Sequence, residues 1–312
     1  VRRRHVGRRQ LPETFAAFAH ARYRRVWAAG FISQLGDWMQ IVGRSILAYR
    51  LTGRAESLGI VYFATYLPQM LFSPWAGVLV DRFDRRHLMV VTQCAQAAGS
   101  LVLGVLVATG TASVANVALI SFAIGVPFML AIPTQQALAP AVVPREALTS
   151  AINLSTATNS VTRVIGPLLA SGVIAVAGLQ WVFWVNGVSF AAVILAWLLT
   201  PVERQPPLEE TRSFAAMREA LRFVRDTPSV LVPIVATSFF MVVGLVYQVL
   251  AVVYATDVLA GGRSRLGQTY YGWLQAAVGV GAAVAILALA GPGRRRPGPV
   301  FAATAMAFAA AL

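Results

Sequence analysis

The chain has 312 residues, of which 57% are hydrophobic and only 12% charged, and its mean hydropathy is +0.67. A soluble chain carries about a quarter charged residues, so a water-soluble globule of this composition could not cover its own surface. All 26 basic residues are arginines, set against 12 acidic ones for a net charge of +14. That excess means either nucleic acid or a membrane protein with basic loops, and the positions of the arginines decide.

A helical crossing of lipid needs about 20 mostly apolar residues. Nine runs reach or approach that length: residues 26–51, 58–80, 88–108, 114–142, 147–177, 181–200, 230–256, 270–290 and 299–312. They are expected to be helices, because barrel strands would alternate over about 10 residues. The fifth run is longer than needed, so its first turns are expected to project into water. The ninth ends after 14 residues, from which a longer gene product of about twelve spans is expected.

The connectors alternate in charge. The start of the chain and every second loop together hold 20 of the 26 arginines, and the other loops hold three. This is the positive-inside pattern, with the N-terminus in the cytoplasm of a bacterial inner membrane. It accounts for the net charge without any nucleic acid. Four segments follow: a basic cytoplasmic arm over 1–25, a six-helix half over 26–200, a central cytoplasmic loop over 201–228, and an incomplete second half over 229–312. In the arm, Phe15, Phe18, Arg22 and Arg25 fall at helical spacing, which suits a segment lying along the headgroups. In the loop, Phe214, Met217, Leu221 and Val224 form one apolar helical stripe, with Arg218, Arg222 and Arg225 off it.

No enzyme motif is present. The single cysteine, Cys94, sits in an apolar run, and His5, His20 and His87 lie in basic flanks without metal-ligand spacing. No metal site or cofactor is expected. The informative residues are polar ones inside the spans. Asp37 lies about 16 Å into a hydrocarbon core of about 30 Å. A carboxylate there is costly and functional by default. A carboxyl that can lose and regain a proton is what proton-coupled export needs. The alternative is a structural Asp, tied to an arginine or to backbone near Gly36. Arg44, about 10 Å further along the same face, is too far for direct contact. Arg163 in the fifth run is the expected partner. Gly166 and Pro167 bend that run, and Gly166, Ala170 and Gly172 leave room for a close neighbour, as a hinge, a gate or packing alone.

Three stretches carry a family resemblance. Gly77, Asp81, Arg82, Arg85 and Arg86, between the second and third runs, resemble the G-x-x-x-D-R-x-x-R-[RK] signature of the major facilitator superfamily. Gly166, Pro167, Ala170, Ser171 and Gly172 look like the G-P-x-x-[GA]-G signature of its exporter branch, with Ala170 and Ser171 before the last glycine as a slight departure. Gly36-Asp37-Trp38-Met39-Gln40 and Leu51-Thr52-Gly53 are similar to the branch that includes enterobactin and macrolide exporters. The resemblance implies an all-α polytopic fold of two helical bundles. It implies that the loop signature is a latch, with Asp81 meeting the eleventh helix. It also implies that the first, fourth and seventh helices face a central cavity. Gln34, Gln40, Gln135, Gln136, Tyr247 and Gln248 are then the expected lining, with Asn153 and Asn159 as additions. The expected function is secondary active, proton-coupled export of drugs or secondary metabolites by alternating access. The alternatives are small-solute uptake, or a truncated chain without transport activity. The expected partners are the lipid bilayer, a small amphipathic substrate and protons, with the chain acting as a monomer.

Overall fold

The computed structural model describes residues 13–201 and 214–289. Among them the regular elements are all helical: α1 (Ala21–Thr52), α2 (Ala55–Arg82), α3 (Arg85–Ala108), α4 (Val114–Val142), α5 (Leu148–Val176), α6 (Leu179–Leu199), α7 (Phe214–Asp226), α8 (Pro228–Val253) and α9 (Ser264–Leu289). Each of the first eight expected spans is a helix, and the apolar stripe of the central loop is α7. The ninth span lies outside the described residues.

Local chemistry ends the helices where the sequence turns polar. Gly53 closes α1 in the left-handed region at φ 68°, donating its N–H to the Tyr49 carbonyl. Asp84 caps α3 by accepting from the His87 N–H, and Ser113 and Asn116 form a reciprocal capping box on α4. The connectors from α1 to α6 are only a few residues long, so successive helices run antiparallel.

Among the described residues four stretches are apolar and long enough to cross a membrane by length and hydropathy alone: Arg85–Ala108, Val114–Val142, Arg145–Val176 and Leu179–Leu199. Helix α1 falls outside that group because Gln34, Asp37, Gln40 and Arg44 interrupt its apolar run. Such a helix must turn its polar face to protein, and Gly36, Gln40 and Ser45 are buried. Accordingly α1 packs on α5 and α6, while α3 packs on α4 and α6, and α2 on α4. Small residues permit these approaches. A Cβ on Gly125 of α4 would fall on the Thr65 backbone carbonyl of α2, and one on Gly104 of α3 would enter the Trp184 ring. The outward surface is apolar, with Phe63, Met70, Leu119 and Val188 all exposed. The interior collects the polar groups Ser33, Gln40, Gln96, Ser100, Thr134 and Asn186. That is the distribution expected of a bundle solvated by lipid.

At the start of α5, Thr149, Ile152 and Asn153 are exposed, whereas Ala147, Ser150 and Ala151 on the other face are buried. What covers them is the 3-10 turn Glu13–Ala19 and the start of α1. The Ala17 N–H donates to Ser150 Oγ at 3.1 Å, Tyr23 Oη donates to the Ala151 carbonyl at 3.2 Å, and Trp27 Nε1 donates to Thr158 Oγ1 at 2.9 Å. Phe18 stands edge-on to the Trp27 ring, 4.8 Å between centroids. The second half of the arm therefore docks on α5, with Phe18 and Tyr23 against protein and Phe15 exposed.

The second half meets the first through α5 and α9. Ser171 Oγ donates to the Gln268 carbonyl at 3.4 Å, and a Cβ on Gly272 would fall on that same Oγ. Tyr271 is fully buried, with its hydroxyl 3.4 Å from Ser45 Oγ. Beyond α8 the chain makes a π-helical turn, Tyr254–Leu259. There the Tyr49 hydroxyl donates to Asp257 Oδ2 at 2.5 Å. Val42, Ile46, Val61, Val252, Ala255 and Tyr271 belong to one apolar cluster at this end.

Candidate functional site

Asp37 lies at the centre of the first bundle's polar interior, half-buried on α1. The Asn186 amide, fully buried on α6, donates to Asp37 Oδ1 at 3.3 Å and to Gln40 Oε1 at 2.6 Å. The Ser100 hydroxyl of α3 donates to Gln40 Oε1 as well, and to the Phe183 carbonyl at 3.1 Å. Ser189 Oγ donates to Asn186 Oδ1 at 3.0 Å. Gly36 explains why α6 comes so close, since a side chain there would collide with Asn186 Oδ1 and Ser189 Oγ.

Asp37 and Gln40 also border a cavity of about 420 Å³, part of it open to solvent. Its other polar walls are Arg44, Thr65, Tyr66 and Gln96, and Phe128 and Phe190 supply apolar ones. A smaller space beside it is bordered by Arg44, Tyr62, Thr65 and Tyr66. The Arg44 guanidinium donates to Thr65 Oγ1 at 3.2 Å. Among the described residues it has no carboxylate within 4.0 Å. Asp37 and Arg44 are the two charged side chains of the cavity, attracted across it without touching. The arrangement sets a carboxyl at the edge of a partly open cavity, holds one of its oxygens by a buried donor, and places a cation on the same cavity wall.

The structure corrects the expected partner of Asp37. Arg163 does not pair with it: its Cζ lies 5.4 Å from the centroid of the Trp38 ring, a cation–π contact. Arg163 is on the α5 face that meets Trp38, one residue beyond Asp37 and therefore about 100° around α1. Among the described residues nothing lies within 4 Å of a side chain added at Gly172. Gly166 does serve close packing, beneath the Trp38 Cβ and 3.3 Å from the Leu35 carbonyl. Pro167 and Ala170 are buried beside it on α5.

Among the expected lining residues, Gln40 borders the cavity. Gln34 accepts instead from Thr162 Oγ1 at 3.4 Å. Gln135, Gln136, Asn153 and Asn159 are exposed on α4 and α5. The side chains of Tyr247 and Gln248 lie outside the described residues. In the loop signature, Asp81 and Arg85 pair at 3.5 Å, one turn apart in sequence. Arg86 Nε and Nη2 donate to the Trp197 and Leu198 carbonyls at 2.8 and 2.7 Å, and Arg25 donates to the Leu199 carbonyl at 3.1 Å. The last arginine of the signature thus caps the C-terminus of α6, where carbonyls lack helical partners and a cation is favoured. Arg82 is exposed and Gly77 is half-buried within α2.

Asn186, Ser100, Gln96, Tyr62 and Tyr66 were not anticipated from the sequence. One signal was available for Asn186, an amide near the middle of a 21-residue apolar helix with Gly187 and Ser189 close by.

A bundle of this order, apolar outside and polar within, with a signature loop between α2 and α3, is that of a multi-pass membrane protein. The profile of the family described as transmembrane secretion effectors matches residues 12–307, and the chain belongs to that family of the major facilitator superfamily. It is 24% identical to the uncharacterized MFS-type transporter YfiS of Bacillus subtilis, over 86% of this chain and 63% of that protein. It is 26% identical to macrolide efflux protein A of Streptococcus pyogenes, over 60% of this chain and 45% of that one. It is 25% identical to the enterobactin exporter EntS of Salmonella typhi, over 86% and 63%. The chain thus spans less than two thirds of the length of these relatives. Among solved structures it matches a bacterial homologue of the human lysosomal transporter Spinster, in an inward-facing and unoccupied conformation. That match has a TM-score of 0.61 and 15% identity, over 88% of this chain and 64% of that one, and it shows the fold.

Proposed function

We propose that the chain is a proton-coupled exporter of small amphipathic molecules such as drugs or secondary metabolites. It works by alternating access across a bacterial inner membrane, with its N-terminus in the cytoplasm. One observation carries the reading: Asp37 borders a partly open cavity inside a lipid-solvated bundle, facing Arg44 across it. Gaining a proton cancels the carboxylate and leaves Arg44 as the uncompensated charge of the cavity. In surroundings of low dielectric such a change of charge is large enough to re-weight two conformations of the bundle. Export relatives support the direction, and the arginine distribution supports the orientation. The contact of α5 with α9 is the joint at which one half rocks against the other.

The test replaces Asp37 by Asn in the full chain and follows an amphipathic fluorescent dye in everted vesicles. Proton-driven efflux is expected to fall to background while membrane insertion is unchanged. Unchanged efflux would remove Asp37 from the mechanism. For direction, cells expressing the chain should accumulate less dye, and an uncoupler should restore accumulation. Higher accumulation on expression would overturn export in favour of uptake.

A further inference from the structure

We propose that Asn186 is the positioning residue for Asp37, holding its carboxyl in one orientation toward the cavity. The proposal rests on the reading of Asp37 as the proton-exchanging group. Asp37 alone on α1 would be free to rotate between the water of the cavity and Arg44. The fully buried Asn186 amide removes that freedom. Its single NH2 group divides two donations, to Asp37 Oδ1 at 3.3 Å and to Gln40 Oε1 at 2.6 Å. The amide is itself held, because Ser189 donates to Asn186 Oδ1 at 3.0 Å, and Ser100 ties Gln40 to α3. An amide fixed at both ends is a rigid donor, and a second layer of bonds of this kind is what keeps a functional group within its working geometry.

The sequence is built around this contact. Gly36 immediately precedes Asp37, and any side chain at position 36 would take the place of Asn186 Oδ1. Position 36 is therefore small so that α6 can deliver the amide to position 37. The charged and titratable groups around the carboxyl come from two elements: Arg44 on α1 itself, and Tyr66 on α2. Neither is within hydrogen-bond reach of Asp37 among the contacts of the structure, so Asn186 is the direct neighbour of the carboxyl. A second consequence is mechanical. A hydrogen bond to a carboxylate is stronger than one to a neutral acid, so each proton taken up by Asp37 loosens the tie between α1 and α6.

Asn186→Leu keeps the forked shape of the side chain and removes both donors. The readout is the infrared carboxyl band of the purified full chain in liposomes, assigned to Asp37 by its loss in Asp37→Asn. In Asn186→Leu the band of the protonated acid should move to higher wavenumber, as for a carbonyl that has lost a donor. Proton-driven dye transport should drop about tenfold, the loss that one charge-assisted hydrogen bond produces. Asn186→Ser, which keeps a donor, should return part of both effects. Gly36→Ala should reproduce them with Asn186 intact, because it pushes the amide aside. An unmoved band in Asn186→Leu overturns the proposal. Should that protein fail to insert, unmoved bands in both Asn186→Ser and Gly36→Ala overturn it instead. The underlying reading fails separately: Asp37→Asn would then transport like wild type, whatever the band does.

Discussion

The interior of the first half and the contact between halves are built from different materials. Inside the first half, α1, α3 and α6 are joined by side-chain hydrogen bonds that share partners: Ser100 to Gln40, Asn186 to Gln40 and Asp37, Ser189 to Asn186. Glycines there are filled by rings and branched side chains, with Gly104 against Trp184 and Gly187 against Leu101. Between the halves, α5 meets α9 at small residues, Ala170, Ser171 and Gly272, with Tyr271 in the apolar cluster beside them, and Ser171 makes a long bond to the Gln268 carbonyl at 3.4 Å. Interlocked side chains resist sliding, whereas small-residue surfaces separate and reform at little cost. On the alternating-access reading proposed above, the first half moves as one body and the contact is where the halves part.

Substitutions separate these roles, and the largest effect belongs in the interior. Gly104→Leu would drive a branched side chain into the Trp184 ring, with no route of relief inside the bundle. It should cost about 3 kcal/mol of stability, at the upper end of overpacking penalties. A fall in the thermal midpoint of the detergent-purified chain measures it. A midpoint equal to wild type would mean that α3 and α6 can move apart, and the rigid-body picture would be lost. Gly272→Ala, at the contact, should behave differently. Its added methyl meets Ser171 Oγ, the end of a short side chain that can rotate away. The expected cost is about 1 kcal/mol, taken mostly as a shift toward the separated arrangement. Labelled pairs on α5 and α9 should report a longer mean distance while the thermal midpoint barely changes. A large midpoint loss with unchanged distances would make this contact part of the rigid core.

The sequence was most legible where one physical rule dominates. Lipid demands long apolar runs, so the order and number of helices through α9 could be read directly, and the stripe of Phe214, Met217, Leu221 and Val224 could be read as α7. The loop signature was legible because a glycine, an aspartate and arginines at fixed spacing have no reason to recur in a simple turn. Partnerships were not legible. Arg163 and Asp37 have opposite charges and sit on helices that touch, yet Trp38 takes the guanidinium because of how α1 is rotated. Gly172 reads like Gly166 in sequence, but among the described residues Gly166 alone of the two faces a neighbour. Asn186 has no charge to draw attention, and its importance depends on Gly36, 150 positions away in the chain. Rotation of helices about their axes decides such pairs, and apolar runs carry little record of it. The contact of the arm with one face of α5 was illegible for a related reason: length above what lipid requires does not say what packs on the excess.

The smallest expected effect tests the far edge of the contact. Tyr49 ends α1 and donates to Asp257 in the π-helical turn after α8. Both residues are at least partly exposed, so water competes for each and the bond contributes little to the folded state as a whole. Tyr49→Phe should cost about 0.5–1 kcal/mol, too little to lower the thermal midpoint by more than a few degrees. Yet a contact that opens and closes is sensitive to fractions of that size, since 1.4 kcal/mol is a factor of ten in a two-state population. If the bond closes this end of the bundle, a cysteine placed at Ala255, buried here, should be labelled several-fold faster by a membrane-impermeant thiol reagent in Tyr49→Phe than with Tyr49 present. Asp257→Asn keeps an acceptor and should lie between the two. Equal labelling in all three would show that the apolar cluster of Val42, Ile46, Val252 and Tyr271 closes this end by itself, and that the contact between halves is held by packing alone.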